Sequence, residues 1–466
     1  MILSQLRAVT APERFGMTNS EMVRAETPPA KPRAWELGWL DKANLILTLR
    51  GTWIFDAHLD TEAMRRSLSR LLGLLPHLSG RMRNGSAVDL CNAGVPFQHI
   101  RRPDMTLGWA CAHPEHASIF SAPLSHWRVK RGKEAPMSVT ITHLGDGSVL
   151  GVRCSHACLD GQGFYGMVRL WSQLHRGEPF TPPILDQSLA PTPSDRPKAE
   201  VIRLAREAGW SKISPLVLLS VLPRYLLGRL HRRAPGIHFS KETIGRLRKE
   251  AAAAPADTDC HERHGADGLP SVNVALTAHL TRMCNRLFGL PDGTPCSQVT
   301  VLDGRERLPS VPAGFAGNAA FAVSTARYPS GAHLSDLAAQ IERRLSVFTA
   351  RPSPALLEQV SLGVDLMSHK VLMAPYDLGA MHRSRPTLTY VNNFTRLPIY
   401  DVDFGDLDRP ARPVRVIPHD LPDPVLLWPA PPEVGGVEAY LTGVEALAAM
   451  KLPPDDPWWR ELRIED

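Results

Sequence analysis

Two apolar runs, Met137–Leu144 and Ser148–Ser155, stand on either side of Gly145-Asp146-Gly147. A D-G turn between runs rich in Val, Ile, Leu and Thr is the strongest short-range hairpin signal, so the runs are expected to pair antiparallel. The second run leads into Arg153-Cys154-Ser155-His156-Ala157-Cys158-Leu159-Asp160-Gly161, after which Phe164, Met167, Leu170, Trp171 and Leu174 recur at helical spacing. A strand, a histidine, a short turn and a helix therefore follow one another directly. The imidazole is held on rigid backbone at a strand end, and its ordinary pKa suits it to taking a proton from a hydroxyl or amine near neutrality. Asp160 can either orient that ring or face an arginine and lock the loop.

The rest of the chain mixes strands and helices in the same way. Ala34–Asp56 alternates enough to read as strand, and Thr61–Leu75 follows as an amphipathic helix. A Pro-rich loop from Glu178 gives way to a basic helical stretch that ends near Gly236. Ile237–Ser240 then reads as strand, Ser240 as the cap of a helix over Lys241–Ala252, and Ser271–Leu290 as another helix. Strand signals follow at 298–303, 319–325, 387–391, 412–417, 424–428 and 435–442. The 466 residues divide on this reading into an N-terminal domain 1–180, a connecting segment 181–236 and a C-terminal domain 237–466. The fold class is α/β, with two similar halves.

Composition narrows the function by exclusion. Lys+Arg exceeds Asp+Glu by 53 to 47, a net charge of +6, which suits an anionic co-substrate but is too diffuse for nucleic acid. The 7 cysteines are odd in number and dispersed, so no disulfide framework is expected and a reducing, cytoplasmic setting is. The opening MILSQLRAVTAPERFG shows no secretory signal. The most apolar window, Ser214–Leu227, is too short to span a bilayer and contains Pro223 and Arg224; it reads as a buried helix or, less simply, a membrane-surface one. Cys260-His261-Glu262-Arg263-His264 lacks a second ligand cluster, so no metal is expected there. Cys154 and Cys158 have no evident activating partner and read as packing residues.

A second distinctive segment runs from Tyr390-Val391-Asn392-Asn393-Phe394-Thr395-Arg396-Leu397-Pro398 to Asp403-Phe404-Gly405. Together with His156–Gly161 it resembles the BAHD family of acyl-CoA-dependent acyltransferases, whose hallmarks are H-x-x-x-D-G and D-F-G-W-G. The resemblance continues in order along the chain. Leu75-Pro76-His77-Leu78-Ser79-Gly80-Arg81 is similar to the family's Y-P-L-A-G-R, and His238-Phe239-Ser240-Lys241-Glu242 to F-S-x-E. Val301-Leu302-Asp303-Gly304-Arg305-Glu306-Arg307-Leu308 resembles V-D-G-R-x-R-L, and Gly314-Phe315-Ala316-Gly317-Asn318 resembles G-Y-F-G-N. There are two departures. Asp406-Leu407 replaces the tryptophan and last glycine of D-F-G-W-G, and Asn392-Asn393-Phe394 stands where the family often has T-S-W.

The resemblance implies two chloramphenicol-acetyltransferase-like domains, each a mixed sheet flanked by helices, with a channel between them. It implies a ternary complex in which His156 takes the proton of a small acceptor, a hydroxyl in preference to an amine, as it attacks a CoA thioester. Acyl-CoA is then a co-substrate, with no permanently bound cofactor, no metal, no nucleic acid, no integral membrane segment and a monomeric state. Asp160 is implied to turn away from the channel and pair with Arg305, with Gly161, Asp403 and Gly405 as further structural support. Ser271, Asn318 and Phe394 are candidate substrate contacts. In place of the T-S-W donors, Asn392 is the candidate that hydrogen-bonds the developing oxyanion, since residues 392 and 394 share one face of a strand. Two other readings stand beside this one. A condensation-type enzyme using a carrier-bound acyl group has H-H-x-x-x-D-G, where this chain has Ser155 for the first histidine. A non-catalytic binding protein that kept the fold fits poorly with intact His156, Asp160 and Gly161.

Overall fold

A computed structural model describes residues 19–28, 34–217, 219, 236–253, 267–381, 385–406, 408–419 and 424–464. The cluster Cys260–His264 and most of Ser214–Leu227 lie outside them. Two sheets of six strands organise the described residues. In chain order their strands are β1 (Asn19–Val23), β2 (Thr48–Phe55), β3 (Val95–Arg102), β4 (Met137–Leu144), β5 (Ser148–Ser155) and β6 (Ile237–Phe239). They continue with β7 (Pro295–Asp303), β8 (Ala320–Pro329), β9 (Leu388–Asn393), β10 (Pro413–Ile417), β11 (Val425–Pro429) and β12 (Val437–Leu441).

The chain forms two compact units, and neither is one continuous stretch of sequence. Unit 1 gathers Met1–Ala190, Ala313–Ala319 and Leu397–Leu421; unit 2 gathers Pro191–Pro312, Ala320–Arg396 and Pro422–Asp466. The expected boundaries at 180 and 236 therefore need correction. The Asp403–Gly405 motif was expected in the C-terminal half, but it folds with the N-terminal one, because β10 pairs antiparallel with β2 and carries its flanking loop along.

In unit 1 the strand order is β1-β3-β4-β5-β2-β10. The hairpin read from the D-G turn is present, with His143 opposite Ser148 and Met137 opposite Cys154. β5 is paired on both edges, by β4 and β2, and nearly every residue along it is buried, so both its faces are covered, which explains its continuous apolar run. Gly151 in β5 is obligatory: a Cβ there would sit 1.9 Å from the Phe120 carbonyl oxygen. Two helices, α1 (Thr61–Leu74) and α2 (Gly161–Arg176), pack together, capped by Asp60 and Asp160 respectively. Gly177, at φ 68°, closes α2 in the left-handed conformation. The expected strand over 34–56 proves to be three elements: a short strand Ala34–Glu36, a helix Trp39–Ala43, and β2. The break has a local cause, because the Gly38 N–H donates to the Asp41 carboxylate at 2.9 Å and turns the chain into a helix.

Unit 2 has the order β6-β12-β11-β9-β7-β8, with parallel pairing only at β11–β9 and β9–β7. Ser271 caps α4 (Val272–Leu287) by accepting from the Val274 N–H. Leu276 and Leu280 of α4 join Ile341 of α5 (Leu334–Thr349), Val391 and Leu427 in one apolar core. α5 and α6 (Pro354–Ser368) carry no signal singled out in the sequence, although both have an apolar stripe. Among the described residues no helix is long and apolar enough to cross a membrane.

The eroded D-F-G-W-G motif is a loop anchor. The Asp403 carboxylate accepts from the Gly405 N–H at 3.0 Å and the Ala411 N–H at 2.8 Å, closing the loop on itself. Phe404 is buried, with its ring edge-on to Phe55, Trp171 and His175. A Cβ on Gly405 would lie 2.0 Å from the Arg409 carbonyl oxygen. Where the tryptophan is missing, the Asp406 carboxylate accepts from the Asp408 and Arg409 N–H groups at 3.0 and 2.6 Å, and so supplies a turn of its own. Phe404→Ala should lower the unfolding free energy by about 3–5 kcal/mol. Gly405→Ala should cost at least about 1–3 kcal/mol by overpacking. Urea denaturation of each variant checks both, and unchanged midpoints would refute the anchoring role.

Candidate active site

His156 immediately follows β5, and its backbone N–H donates to the Leu47 carbonyl at 3.0 Å, so the ladder with the neighbouring strand fixes its position. Its ring is held by a residue from much later in the chain: Nδ1 lies 3.0 Å from the Asn318 side-chain oxygen. The remaining contacts of Asn318 decide which way the proton points. Its Nδ2 donates at 2.8 Å to Asp41 Oδ1 and at 2.9 Å to the His156 carbonyl. Both acceptors lack hydrogens, so a flipped amide would set oxygen against oxygen twice. Asn44 Nδ2 also donates to Asn318 Oδ1, at 3.3 Å. Asn318 Oδ1 is therefore an acceptor, Nδ1 of His156 carries the hydrogen, and Nε2 is left as the unprotonated ring nitrogen.

Two buried carboxylates hold this arrangement. Asp41 is 2% exposed and accepts from the Asn318 N–H at 3.1 Å as well as from its side chain. Burial raises its pKa to about 6 against the opposing pull of the Asn318 and Gly38 hydrogen bonds, and the nearby Asp160 charge raises it further. Asp160 is fully buried; Oδ1 accepts from the Gly163 N–H and Oδ2 from the Ala319 N–H, each at 2.8 Å. It thus ties the first turn of α2, which begins at Gly161, to the 313–319 segment. That segment is pinned from a second side, where the Ile184 N–H donates to the Gly314 carbonyl and the Ala316 N–H to the Ile184 carbonyl. Burial holds His156 below its ordinary pKa, partly offset by its own backbone, the Asp160 charge and the Asn318 hydrogen bond. Burial also pushes the Cys154 and Cys158 thiols up, so both remain protonated and unreactive.

The other expected site residues divide between the two units. Asn318, expected to contact substrate, is instead committed to His156 and Asp41. Ser271 is the α4 cap. Arg305 is 4% exposed and its guanidinium donates to Asp303 at 2.8 Å. On β9, Asn393 donates to Asn273 Oδ1 at 2.6 Å and accepts from the Thr395 N–H and hydroxyl, so it is a turn residue. Asn392 lies on the opposite face of the strand, and buried Phe394 packs on Trp428 with ring centroids 5.6 Å apart. Asp41 was missed. Its only sequence signal is Gly38 at helix-cap spacing, which the apparent strand periodicity of 34–56 obscured.

Residues 16–451 match the Transferase family. The chain belongs to this family of BAHD acyltransferases. Among curated relatives, it is 25% identical to hydroxycinnamoyltransferase 2 of Oryza sativa subsp. japonica over 370 residues, 75% of this chain and 76% of that protein. It is 26% identical to the hydroxycinnamoyl-CoA:5-hydroxyanthranilate N-hydroxycinnamoyltransferase HHT1 of Avena sativa, over 75% of this chain and 76% of that one. Among solved structures, its fold is similar to F. graminearum TRI101 complexed with ethyl coenzyme A, with a TM-score of 0.64 and 15% identity over 92% of this chain and 98% of that one.

Two measurements check the histidine geometry. Because folding favours the neutral ring, a reaction in which His156 takes the proton should show an acid limb of kcat/KM with its midpoint below the ordinary value of 6.5. The same shift makes the His156 contribution to stability full above 6.5 and lost as pH falls toward the lower, folded-state value. Asn318→Ala should lower kcat by about 10²-fold through a misplaced or wrongly protonated ring, with little change in KM for the thioester. Full kcat in a folded Asn318→Ala variant would refute the assignment.

Proposed function

We propose that the protein transfers the acyl group of a CoA thioester to the hydroxyl of a small acceptor, with His156 as general base. The observation that carries this reading is the Nδ1–H bond to Asn318, which leaves Nε2 able to accept a proton. As the acceptor oxygen attacks the thioester carbonyl, its proton passes to Nε2 and the carbonyl becomes an oxyanion. Collapse of that intermediate breaks the carbon–sulfur bond, and the imidazolium returns its proton to the departing CoA sulfur. No covalent acyl-enzyme is needed, and the buried, protonated cysteines offer no alternative nucleophile. Proximity in a ternary complex supplies several kcal/mol of the rate enhancement. An amine acceptor is the second reading, supported by the N-acylation in the name of the oat relative.

Thiol release from CoA esters, followed with a thiol reagent, tests the activity. A panel that includes hydroxycinnamoyl-CoA, run against hydroxylated and amine acceptors and read by mass spectrometry, decides the acceptor. His156→Ala should lower kcat by about 10²–10⁴ with CoA-ester binding nearly intact. Near-normal turnover in a folded variant would refute His156 as base.

Asn392 is kept in this reading as the oxyanion donor, supported by its amide chemistry and by the turn role of Asn393. A preorganised donor of that kind is worth about 2.7–4 kcal/mol. Asn392→Ala should therefore lower kcat by about 10²–10³ with KM little changed, whereas Asn393→Ala should act mainly on stability. An Asn392→Ala variant with wild-type kcat would end the assignment.

A further inference from the structure

Unit 2 holds a cleft of about 860 Å³ that the acyl-transfer reading does not use. Its size lies within the roughly 300–1,000 Å³ of clefts that hold small organic ligands. One wall is β8, the last strand of its sheet among the described residues. The others come from α3 (Lys198–Glu207) with the following Trp210, from α5, and from α6.

The lining has two chemically distinct parts. Leu204, Trp210 and Leu362 give it an apolar floor continuous with a small buried cluster, and Val347 and Phe348 extend that surface along α5. Around it stand Arg196, Arg327, Arg343 and Arg344, with Glu207 and Glu358. Two of these charges are already balanced, Arg196 by Asp365 at 3.6 Å and Glu207 by Arg203 at 2.7 Å. The Arg343 guanidinium and the Glu358 carboxylate make no ion pair or hydrogen bond with a described residue. Arg327 donates only to the Gly209 carbonyl, at 3.3 Å, and Arg344 lies over the Phe348 ring at 4.9 Å. Three guanidinium groups thus face one carboxylate beside an aromatic and aliphatic surface.

We propose that this cleft binds a small amphipathic anion, its carboxylate or phosphate held by Arg327 and Arg343 and its flat apolar body on Leu204, Trp210 and Val347. Guanidinium forks match either head group with paired hydrogen bonds. An extended peptide adding to the β8 edge fits less well. The strand carries an irregularity opposite Gln298–Val299, and Gln359 Nε2 already donates to the Ala322 carbonyl at 2.7 Å. Both features blunt an edge against strand addition.

The test uses the full chain in saturating coenzyme A, so that the acyl-donor site is occupied, with 8-anilinonaphthalene-1-sulfonate as fluorescent probe. One titratable site is expected, displaced by 2-naphthoate in the carboxylate arm or by 2-naphthyl phosphate in the phosphate arm; the better competitor identifies the head group. Arg327→Ala/Arg343→Ala should weaken probe binding by at least about tenfold, while Glu358→Gln should tighten it. Neither variant should change CoA-thioester turnover in the absence of probe. Identical titrations for wild type and the double variant would overturn the proposal, as would probe binding abolished by coenzyme A. Displacement by an acidic peptide but by neither naphthyl compound would overturn it in favour of a macromolecular partner.

Discussion

The two side-chain hydrogens of Asn318 have only one arrangement open to them, and the geometry of the His156 ring follows from that. One goes to a carboxylate and the other to the His156 carbonyl, so the amide cannot rotate without opposing acceptors. A neutral imidazole in water exchanges freely between tautomers. Here the exchange is stopped by a neutral amide, which leaves the ring uncharged at rest. A carboxylate in the same place would stabilise the imidazolium and raise the pKa of the ring. The low pKa of His156 and the choice of an amide as its partner are thus consistent with each other.

Asp41 and Asp160 do for the backbone what Asn318 does for the ring. Each is buried, and each gathers N–H groups from parts of the chain far apart in sequence. Taking a carboxylate out of water is costly, and the raised pKa of Asp41 records chiefly that burial, with the Asp160 charge adding a smaller part. What the cost supports is a His156 loop held from several directions at once. The Asp403 loop follows the same logic at the other end of α2, where a carboxylate again collects backbone donors and an aromatic plug fills the space behind it.

Local signals in the sequence were sufficient where the physics is local. The β4–β5 hairpin, the Ser240 cap and the helix over Lys241–Ala252 are set by neighbours a few residues away, and each is where periodicity and turn chemistry put it. The failures have a common cause. The 34–56 segment has the alternation of a strand, but an Asp41–Gly38 contact breaks it, and the reason to place an aspartate there lies in Asn318, 277 residues later. Asn318 was visible as part of a motif, yet its task was not, because its partner His156 is 162 residues away. The two-unit organisation was legible in outline only, since no local pattern shows that β10 will cross to the sheet of β2.

That crossing makes the order of synthesis matter. A ribosome delivers His156 and both strands that carry it long before it delivers 313–319, and β10 arrives near the end. Until 313–319 is made the first unit lacks the amide that fixes the imidazole, and until 397–421 is made it lacks one edge of its sheet and the plug behind α2. A chain truncated or stalled before residue 313 therefore holds its histidine with neither tautomer selected. The unit is therefore completed late and in two steps, the partner of the imidazole first and the edge of the sheet after it.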